Sequence, residues 1–120
     1  MPGTQRKILI VEDEPLIAMM LEDFLESLGH SIVASCDSVA AALGHVEAGG
    51  FDVAILDVQL KDGERVWAVA DRLTAAGTPF VLATGGYIEP PPAAHAGAPV
   101  LAKPYTIDAI EPAIDRACGG

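Results

Sequence analysis

The stretch Phe51-Asp52-Val53-Ala54-Ile55-Leu56-Asp57 decides the fold of this chain. Four consecutive apolar residues, Val53 to Leu56, run directly into the carboxylate of Asp57. An uninterrupted apolar run of this kind is typical of a strand that is buried on both faces of a parallel sheet covered by helices. In such sheets, ligands bind just beyond the carboxyl ends of the strands, where the strand order reverses. Asp57 is therefore the first candidate for a functional residue.

Length and composition limit the class of protein. A chain of 120 residues, 51% of them hydrophobic, can bury one core, so we expect a single domain over residues 1–120 without an effector domain. The formal net charge is −10 and only seven residues are Lys or Arg, which argues against a nucleic-acid partner because phosphate contacts need clustered cations. No apolar run has the length of a membrane span and no signal peptide is visible, so we expect no membrane partner and a cytoplasmic location.

Outside this central strand, apolar periodicity predicts strands and helices in strict alternation. The other expected strands are Lys7–Val11, Ser31–Ser35, Pro79–Ala83 and Val100–Ala102. The expected helices run from Pro15 to Gly29, from a cap at Asp37 or Ser38 to Gly49, through Val66 to Gly77, and onward from a cap at Thr106. The repeated β-α order predicts a flavodoxin-like (βα)5 three-layer sandwich, whose parallel five-stranded sheet has the order 2-1-3-4-5.

Two proline-containing segments interrupt this pattern. Gly85-Gly86 and the run Pro90-Pro91-Pro92 follow the fourth strand, and proline in a helix interior costs ~3 kcal/mol or more. We therefore expect the fourth helix to be short or irregular and to cover Ala93 to His95. Pro112 lies inside the apolar pattern of the last helix, where it predicts a kink or a late start.

Carboxylates converge on Asp57 in the predicted sheet. Glu12 and Asp13 follow the first strand, which neighbours the third in this strand order. Three carboxylates in one crevice repel each other unless a cation neutralises them, and oxygen ligands without His or Cys favour Mg²⁺ among the divalent cations. Thr84 and Lys103 follow the fourth and fifth strands at the same edge. A hydroxyl, an ammonium group and a divalent cation around one carboxylate suit phosphoryl transfer to that carboxylate.

These elements, in this order and each at a strand end, resemble the receiver domain of two-component response regulators over essentially the whole chain. They are Glu12-Asp13, Asp57, Thr84 and Lys103-Pro104. The resemblance implies that Asp57 is the phosphoacceptor, that Thr84 and Lys103 contact the phosphoryl oxygens, and that a sensor histidine kinase is the partner. The implied Mg²⁺ ligands are Asp13, Asp57, the backbone carbonyl of Gln59 and, through a bound water, Glu12.

A finer resemblance lies in Pro79-Phe80-Val81-Leu82-Ala83-Thr84-Gly85-Gly86-Tyr87. This stretch is similar to the alphaproteobacterial single-domain receivers named for a Phe-Ala-Thr-Gly-X-Tyr motif, with Leu82 in place of the Phe. Members of that group pair with histidine kinases of the HWE type in stress or regulatory phosphorelays. Most receivers carry a Tyr or Phe three residues before the lysine, as a switch that couples to the Thr. Val100 occupies that position here, and we hypothesise that Tyr87 takes over part of the switch role.

The remaining side chains with chemical potential have simpler interpretations. Three histidines are far from the expected strand ends and are predicted to be solvated or in loops: His30, His45 and His95. Trp67 and Tyr105 are expected to be packing residues. Cys36 and Cys118 lack metal-type spacing and are expected to be reduced thiols.

The leading interpretation is a stand-alone receiver that accepts phosphate on Asp57, slowly hydrolyses its own acyl phosphate and signals through an unknown downstream protein or acts as a phosphate sink. It is a signalling protein rather than a metabolic enzyme, and we expect a monomer or weak dimer. The alternative is a receiver-like adaptor that binds its partner whether or not Asp57 is phosphorylated. The intact set of acids, Thr84 and Lys103 argues against it, whereas the missing switch aromatic keeps it open. A phosphatase-type hydrolase would need a second acid at Gln59. The segment from Val11 to Pro15 has no glycine-rich phosphate loop, which argues against nucleotide or flavin binding.

Overall fold

The computed structural model describes residues 5–58, 60, 65–84, 93–95, 97–103 and 105–119. The strands are β1 (Lys7–Val11), β2 (Ser31–Cys36), β3 (Val53–Asp57), β4 (Phe80–Thr84) and β5 (Val100–Ala102). The helices are α1 (Pro15–Ser27), α2 (Val39–Ala48), α3 (Trp67–Ala76) and α4 (Ile107–Ala117). The strands form one parallel sheet in the order β2-β1-β3-β4-β5, so the predicted flavodoxin-like order is confirmed.

Helices cover both faces of the sheet because its central strands alternate apolar side chains between two cores. In β3, Ala54 and Leu56 pack with α2 and α3, whereas Val53 and Ile55 pack with α1 and α4. Burying an aliphatic side chain of this size stabilises the fold by about 1.5–3 kcal/mol. Because β3 is apolar on both faces, it occupies the middle of the sheet and carries Asp57 to the sheet's carboxyl edge.

The helix ends follow local rules for the most part. The Ser38 side chain accepts a hydrogen bond from the Ala41 N–H at 3.2 Å, so Ser38 rather than Asp37 caps α2. Gly77 ends α3 in the left-handed conformation, which glycine adopts without steric cost. Thr106 takes the N-cap position of α4, but its side chain makes no capping hydrogen bond, so the predicted Thr106 cap is only positional.

The two proline-containing segments behave differently. Between β4 and β5, the described residues contain one 3-10 turn, Ala93–His95, in agreement with a short or irregular fourth helix. The runs Gly85-Gly86 and Pro90-Pro92 lie outside the described residues. The helix α4 begins at Ile107 and continues through Pro112, so the predicted late start is wrong. Its buried face, which includes Ile110, holds the helix together despite the missing hydrogen bond.

Two of the three histidines are buried, which corrects the expectation of solvation, although His30 lies in the loop before β2 as one of the predicted alternatives. His45 is exposed, whereas the His30 ring is enclosed between the start of β1 and α4. The backbone N–H of Arg6 donates to His30 Nδ1 at 3.1 Å, and His30 Nε2 lies 2.7 Å from Glu111 Oε1. Because Nδ1 accepts a hydrogen bond, Nε2 carries the ring N–H and donates a hydrogen bond to Glu111 Oε1. The histidine therefore connects residues that are far apart in the sequence.

The second buried histidine, His95, attaches the 3-10 turn to α3. Its ring stacks on Trp67 with a centroid distance of 6.1 Å and an interplanar angle of 12°. It also contacts the Phe80 ring edge to face at 5.5 Å, and its Nε2 lies 2.7 Å from Asp71 Oδ1. These contacts fix the 3-10 turn Ala93–His95 against α3 and the start of β4.

Replacing His30 with alanine is expected to lower the free energy of unfolding by about 3 kcal/mol, because a cavity forms and both the Arg6 N–H and Glu111 lose their partner. Urea denaturation of both proteins measures the difference. His45→Ala, at an exposed histidine, is the matched control and should change stability by less than about 0.5 kcal/mol. Equal effects of the two substitutions would contradict a structural role for His30.

Candidate functional site

Strand register brings the acidic residues together. Val11 of β1 pairs with Leu56 of β3, so the next residues along the two chains, Glu12 and Asp57, lie side by side at the carboxyl edge of the sheet. Carboxylate oxygens of Glu12, Asp13 and Asp57 all lie within 4.8 Å of one another, and we call these three residues the acidic cluster. Glu12 and Asp57 are buried, whereas Asp13 is partly exposed. The sequence-predicted convergence of these acids is therefore present in the structure.

Lys103 lies between two of these carboxylates. Its Nζ is 2.7 Å from Glu12 Oε1 and 3.0 Å from Asp57 Oδ2. The backbone positions it because the Lys103 N–H donates to the Thr84 carbonyl at 2.7 Å, one step beyond the last paired residues of β4 and β5. The lysine ammonium thus compensates two buried negative charges directly.

The electrostatics of the site follow from burial and from this lysine. Burial raises the pKa of Glu12 and the nearby Asp57 charge adds to the effect, while the hydrogen bond from Lys103 opposes both. Burial alone would lower the pKa of Lys103, but its hydrogen bonds to Glu12 and Asp57 outweigh burial and raise it. The ammonium group therefore stays charged between the two carboxylates.

The other predicted site residues lie at the same edge or outside the described residues. Thr84 ends β4, one residue beyond Ala83, which is the partner of Asp57 in the β3–β4 pair. Val100 begins β5, is 51% exposed and has no polar group to offer. Three further predictions fall on residues that the structure does not describe: Gln59, Tyr87 and Pro104.

The sequence analysis did not predict a hydrogen bond from the Tyr105 hydroxyl. The ring packs in the core between the sheet, α1 and α4, as predicted, but its hydroxyl lies 3.5 Å from Glu12 Oε1. Burial raises the pKa of Tyr105, and the charges of Glu12 and Asp57 raise it further, so the hydroxyl remains a donor. A buried tyrosine hydroxyl usually finds a hydrogen-bond partner. In the sequence, the position of Tyr105 two residues after Lys103 could have indicated that its hydroxyl lies near the acidic cluster.

The acidic cluster fits a divalent cation. Three ionised carboxylates and one ammonium group leave a formal local charge of −2, from −3 and +1. All the side-chain donors of the cluster are carboxylate oxygens, which are the ligands that Mg²⁺ prefers. The three carboxylates therefore fit Mg²⁺ both in charge and in ligand chemistry.

A separate cleft of about 620 Å³ opens at the opposite edge of the sheet. It lies between the C-terminal ends of α3 and α4, and Thr78, His95 and Arg116 are among its lining residues. The described residues that line it include no carboxylate. The acid and lysine chemistry of this protein is therefore located away from this cleft.

The described helices include none that is long and apolar enough to cross a membrane. Both cysteines are free thiols, with Cys36 buried and Cys118 partly exposed, as the sequence predicts. Burial raises the pKa of Cys36, so this thiol has little nucleophilic character.

Comparison with known proteins identifies relatives that cover between 65% and 98% of this chain. The solution structure of SdrG from Sphingomonas melonis Fr1 superposes with a TM-score of 0.86 at 50% identity, covering 98% of this chain and 99% of SdrG. The phyllosphere-induced regulator PhyR of Methylorubrum extorquens is 38% identical over 65% of this chain and 30% of its own length. The transcriptional regulatory protein PdtaR of Mycobacterium tuberculosis is 32% identical over 93% of this chain and 56% of its own length.

The two regulators PhyR and PdtaR are longer proteins, since the matched region spans about a third and just over half of their respective lengths. Residues 8–115 match the family model of the response regulator receiver domain, a range that contains both the acidic cluster and Lys103. This chain therefore belongs to the response regulator receiver domain family.

Proposed function

We propose that this chain is a stand-alone receiver in a two-component phosphorelay and that Asp57 accepts a phosphoryl group from the phosphohistidine of a sensor histidine kinase. The observation that carries the proposal is the position of Lys103 Nζ, 3.0 Å from Asp57 Oδ2. A positive charge at this distance lies where the oxygens of a phosphoryl group on Asp57 would develop negative charge. Membership of the receiver family and the fit of the acidic cluster to Mg²⁺ support the same conclusion.

The transfer requires one bond to form and one to break. A carboxylate oxygen of Asp57 attacks phosphorus, the P–N bond of the phosphohistidine breaks, and its electron pair returns to the imidazole nitrogen of the kinase. Lys103 and the Thr84 hydroxyl contact the phosphoryl oxygens. Mg²⁺ would be held by the acidic cluster and, as the family resemblance implies, by the backbone carbonyl of Gln59, and would supply further positive charge to those oxygens.

The same site would reverse the modification slowly. Attack of water on phosphorus releases inorganic phosphate and regenerates the Asp57 carboxylate. Receiver domains are in general signalling modules rather than enzymes, so we propose no reaction beyond this self-catalysed transfer and hydrolysis.

The proposed compartment is the cytoplasm, which suits the two free cysteines, and cell fractionation would test it.

The decisive experiment is incubation of the wild-type chain with acetyl phosphate, with and without Mg²⁺, followed by intact-mass measurement. We expect one phosphoryl adduct that requires Mg²⁺, disappears in EDTA and maps to the peptide containing Asp57. No adduct under conditions that label a control receiver would overturn the proposal.

The second candidate function is a receiver-like adaptor that docks its partner whether or not Asp57 is phosphorylated. The specific observation that favours it is Val100, which replaces the usual switch aromatic with an exposed aliphatic side chain. An adaptor would bind its partner equally well before and after treatment with acetyl phosphate and Mg²⁺. A change in affinity of about tenfold or more would favour the switch instead.

The proposed upstream partner is a histidine kinase of the HWE type, and the proposed oligomeric state is a monomer or weak dimer. The support for this kinase class is the resemblance of residues 79–87 to the Phe-Ala-Thr-Gly-X-Tyr group. Phosphotransfer from a purified HWE-type kinase should be faster than from an unrelated kinase.

The lifetime of the phosphoryl adduct distinguishes a phosphate sink, which loses the phosphoryl group rapidly, from a switch, which retains it.

Tyr87→Phe is expected to change either the lifetime of the phosphoryl adduct or the affinity for the downstream partner by about threefold or more, because Val100 cannot act as the aromatic switch. Tyr87→Ala should have at least the same effect. The adduct is followed by intact mass over time, and partner affinity by calorimetry. If both variants match the wild type in both measurements, Tyr87 has no switch role.

A further inference from the structure

Three donors hold the Glu12 carboxylate, which is buried at the bottom of the acidic cluster. Oε1 lies 2.7 Å from Lys103 Nζ and 3.5 Å from the hydroxyl of Tyr105. Oε2 accepts a hydrogen bond from the Glu14 N–H at 3.2 Å. The lysine is the close partner of Oε1 and the tyrosine is the distant one.

Phosphorylation of Asp57 would change this arrangement. The phosphoryl oxygens carry more negative charge than the Glu12 carboxylate, so they would draw the Lys103 ammonium toward Asp57. Oε1 of Glu12 would then lose its 2.7 Å partner while the side chain remains only 1% exposed. A buried carboxylate oxygen without a partner is costly, so another donor is needed at that moment.

We propose that Tyr105 is a positioning residue that takes over Glu12 Oε1 when Lys103 turns to the phosphoryl group, an inference that rests on the function proposed above. The Tyr105 ring is 4% exposed and packs in the same core as Ile110 and Leu101, so its hydroxyl has a fixed position beside Glu12. With the lysine withdrawn, the hydroxyl, which already lies 3.5 Å from Oε1, can donate to that oxygen and keep Glu12 directed toward a bound metal ion.

This role and simple packing would affect different binding events. A ring that only fills the core would affect folding stability and would change the affinity for the metal and for a phosphoryl mimic equally. A hydroxyl that replaces Lys103 at Glu12 matters little while the lysine is in place and becomes important once a phosphoryl group is bound. The two possibilities are separated by comparing binding of the metal alone with binding of a phosphoryl mimic.

The test uses Tyr105→Phe, which keeps the ring and removes the hydroxyl. Calorimetric titration with Mg²⁺ alone should give an affinity within about twofold of wild type, because Lys103 still holds Glu12. Titration with beryllofluoride at saturating Mg²⁺ should give an affinity about tenfold weaker, as expected for loss of a hydrogen bond to a charged group. Thr106→Val, which removes an exposed hydroxyl one residue further on, is the matched control and should match wild type in both titrations.

A double-mutant cycle identifies the group through which the hydroxyl acts. In a Glu12→Gln background, Tyr105→Phe should weaken beryllofluoride binding by less than about twofold, because the partner of the hydroxyl has lost its charge. Equal beryllofluoride affinities of wild type and Tyr105→Phe would overturn the inference, as would equal weakening of both titrations. If the wild type itself binds no beryllofluoride and forms no adduct with acetyl phosphate, the proposed function has failed rather than the role of Tyr105.

Discussion

Replacing Asp57 with asparagine will lower the rate of phosphoryl adduct formation by more than about a thousandfold, the scale of effect seen when a covalent nucleophile is removed. The carboxylate is the attacking group, and an amide oxygen is a poor nucleophile that also carries no charge to hold a metal ion. Asparagine has nearly the same size and can keep a hydrogen bond to Lys103, so the fold should persist. Intact mass after incubation with acetyl phosphate and Mg²⁺ measures the loss.

A matched substitution separates the loss of this carboxylate from the loss of one negative charge. Asp108 is an exposed residue in the first turn of α4, and Asp108→Asn should be labelled like the wild type. An Asp57→Asn protein that still forms a Mg²⁺-dependent adduct at the wild-type rate would place the phosphoacceptor elsewhere. Peptide mapping of that adduct would then identify the acceptor.

Lys103→Met should lower the free energy of unfolding by about 3 kcal/mol at neutral pH in EDTA. The substitution keeps an apolar chain of similar length but leaves Glu12 and Asp57 facing each other without the ammonium group that now lies 2.7 and 3.0 Å away. Mg²⁺ should restore part of the lost stability, because a cation bound to the folded state replaces the missing positive charge. Urea denaturation with EDTA and with Mg²⁺ provides both values.

The stability deficit of Lys103→Met should also depend on pH in a definite direction. Burial and Asp57 already raise the pKa of Glu12, and removing Lys103 removes the hydrogen bond that opposes them. A folded-state pKa above the unfolded value means that stability is lost as pH rises through the folded pKa. In EDTA, the deficit should therefore shrink as the pH falls toward the ordinary pKa of glutamate and be largest at neutral pH.

The matched control for this prediction is Lys7→Met, at an exposed lysine at the start of β1. It removes the same charge from a chain of net charge −10 without touching the acidic cluster. We expect a change of less than about 0.5 kcal/mol. If both lysine variants lose the same stability, the effect comes from overall charge and not from the pair of carboxylates.

Local sequence patterns determined most of the fold. The apolar run of β3 could be buried only in the middle of a helix-covered parallel sheet, and this placed Asp57 at its carboxyl edge. The bounds of β1 and β5 match those predicted, because each strand is a short apolar run next to polar or turn-forming residues. The acidic cluster was predictable for the same reason, since strand order and strand ends together specify which residues meet.

Tertiary structure alone decided which long-range partners each polar side chain finds. Lys103 pairs with Glu12, and Tyr105 approaches the same carboxylate, although more than 90 positions separate Glu12 from both residues in the sequence. His30 is buried because Glu111, 81 positions away in the sequence, supplies an acceptor for its ring.

The continuity of α4 was decided in the same way. Proline propensity predicted a kink or a late start at Pro112. The helix nevertheless begins at Ile107, because its buried face, with Ile110 and Ile114, stabilises more than the missing hydrogen bond costs. Periodicity and turn chemistry act over a few residues and can be recognised in the sequence. Burial and hydrogen-bond partnership depend on contacts between distant segments, and those exist only once the chain has folded.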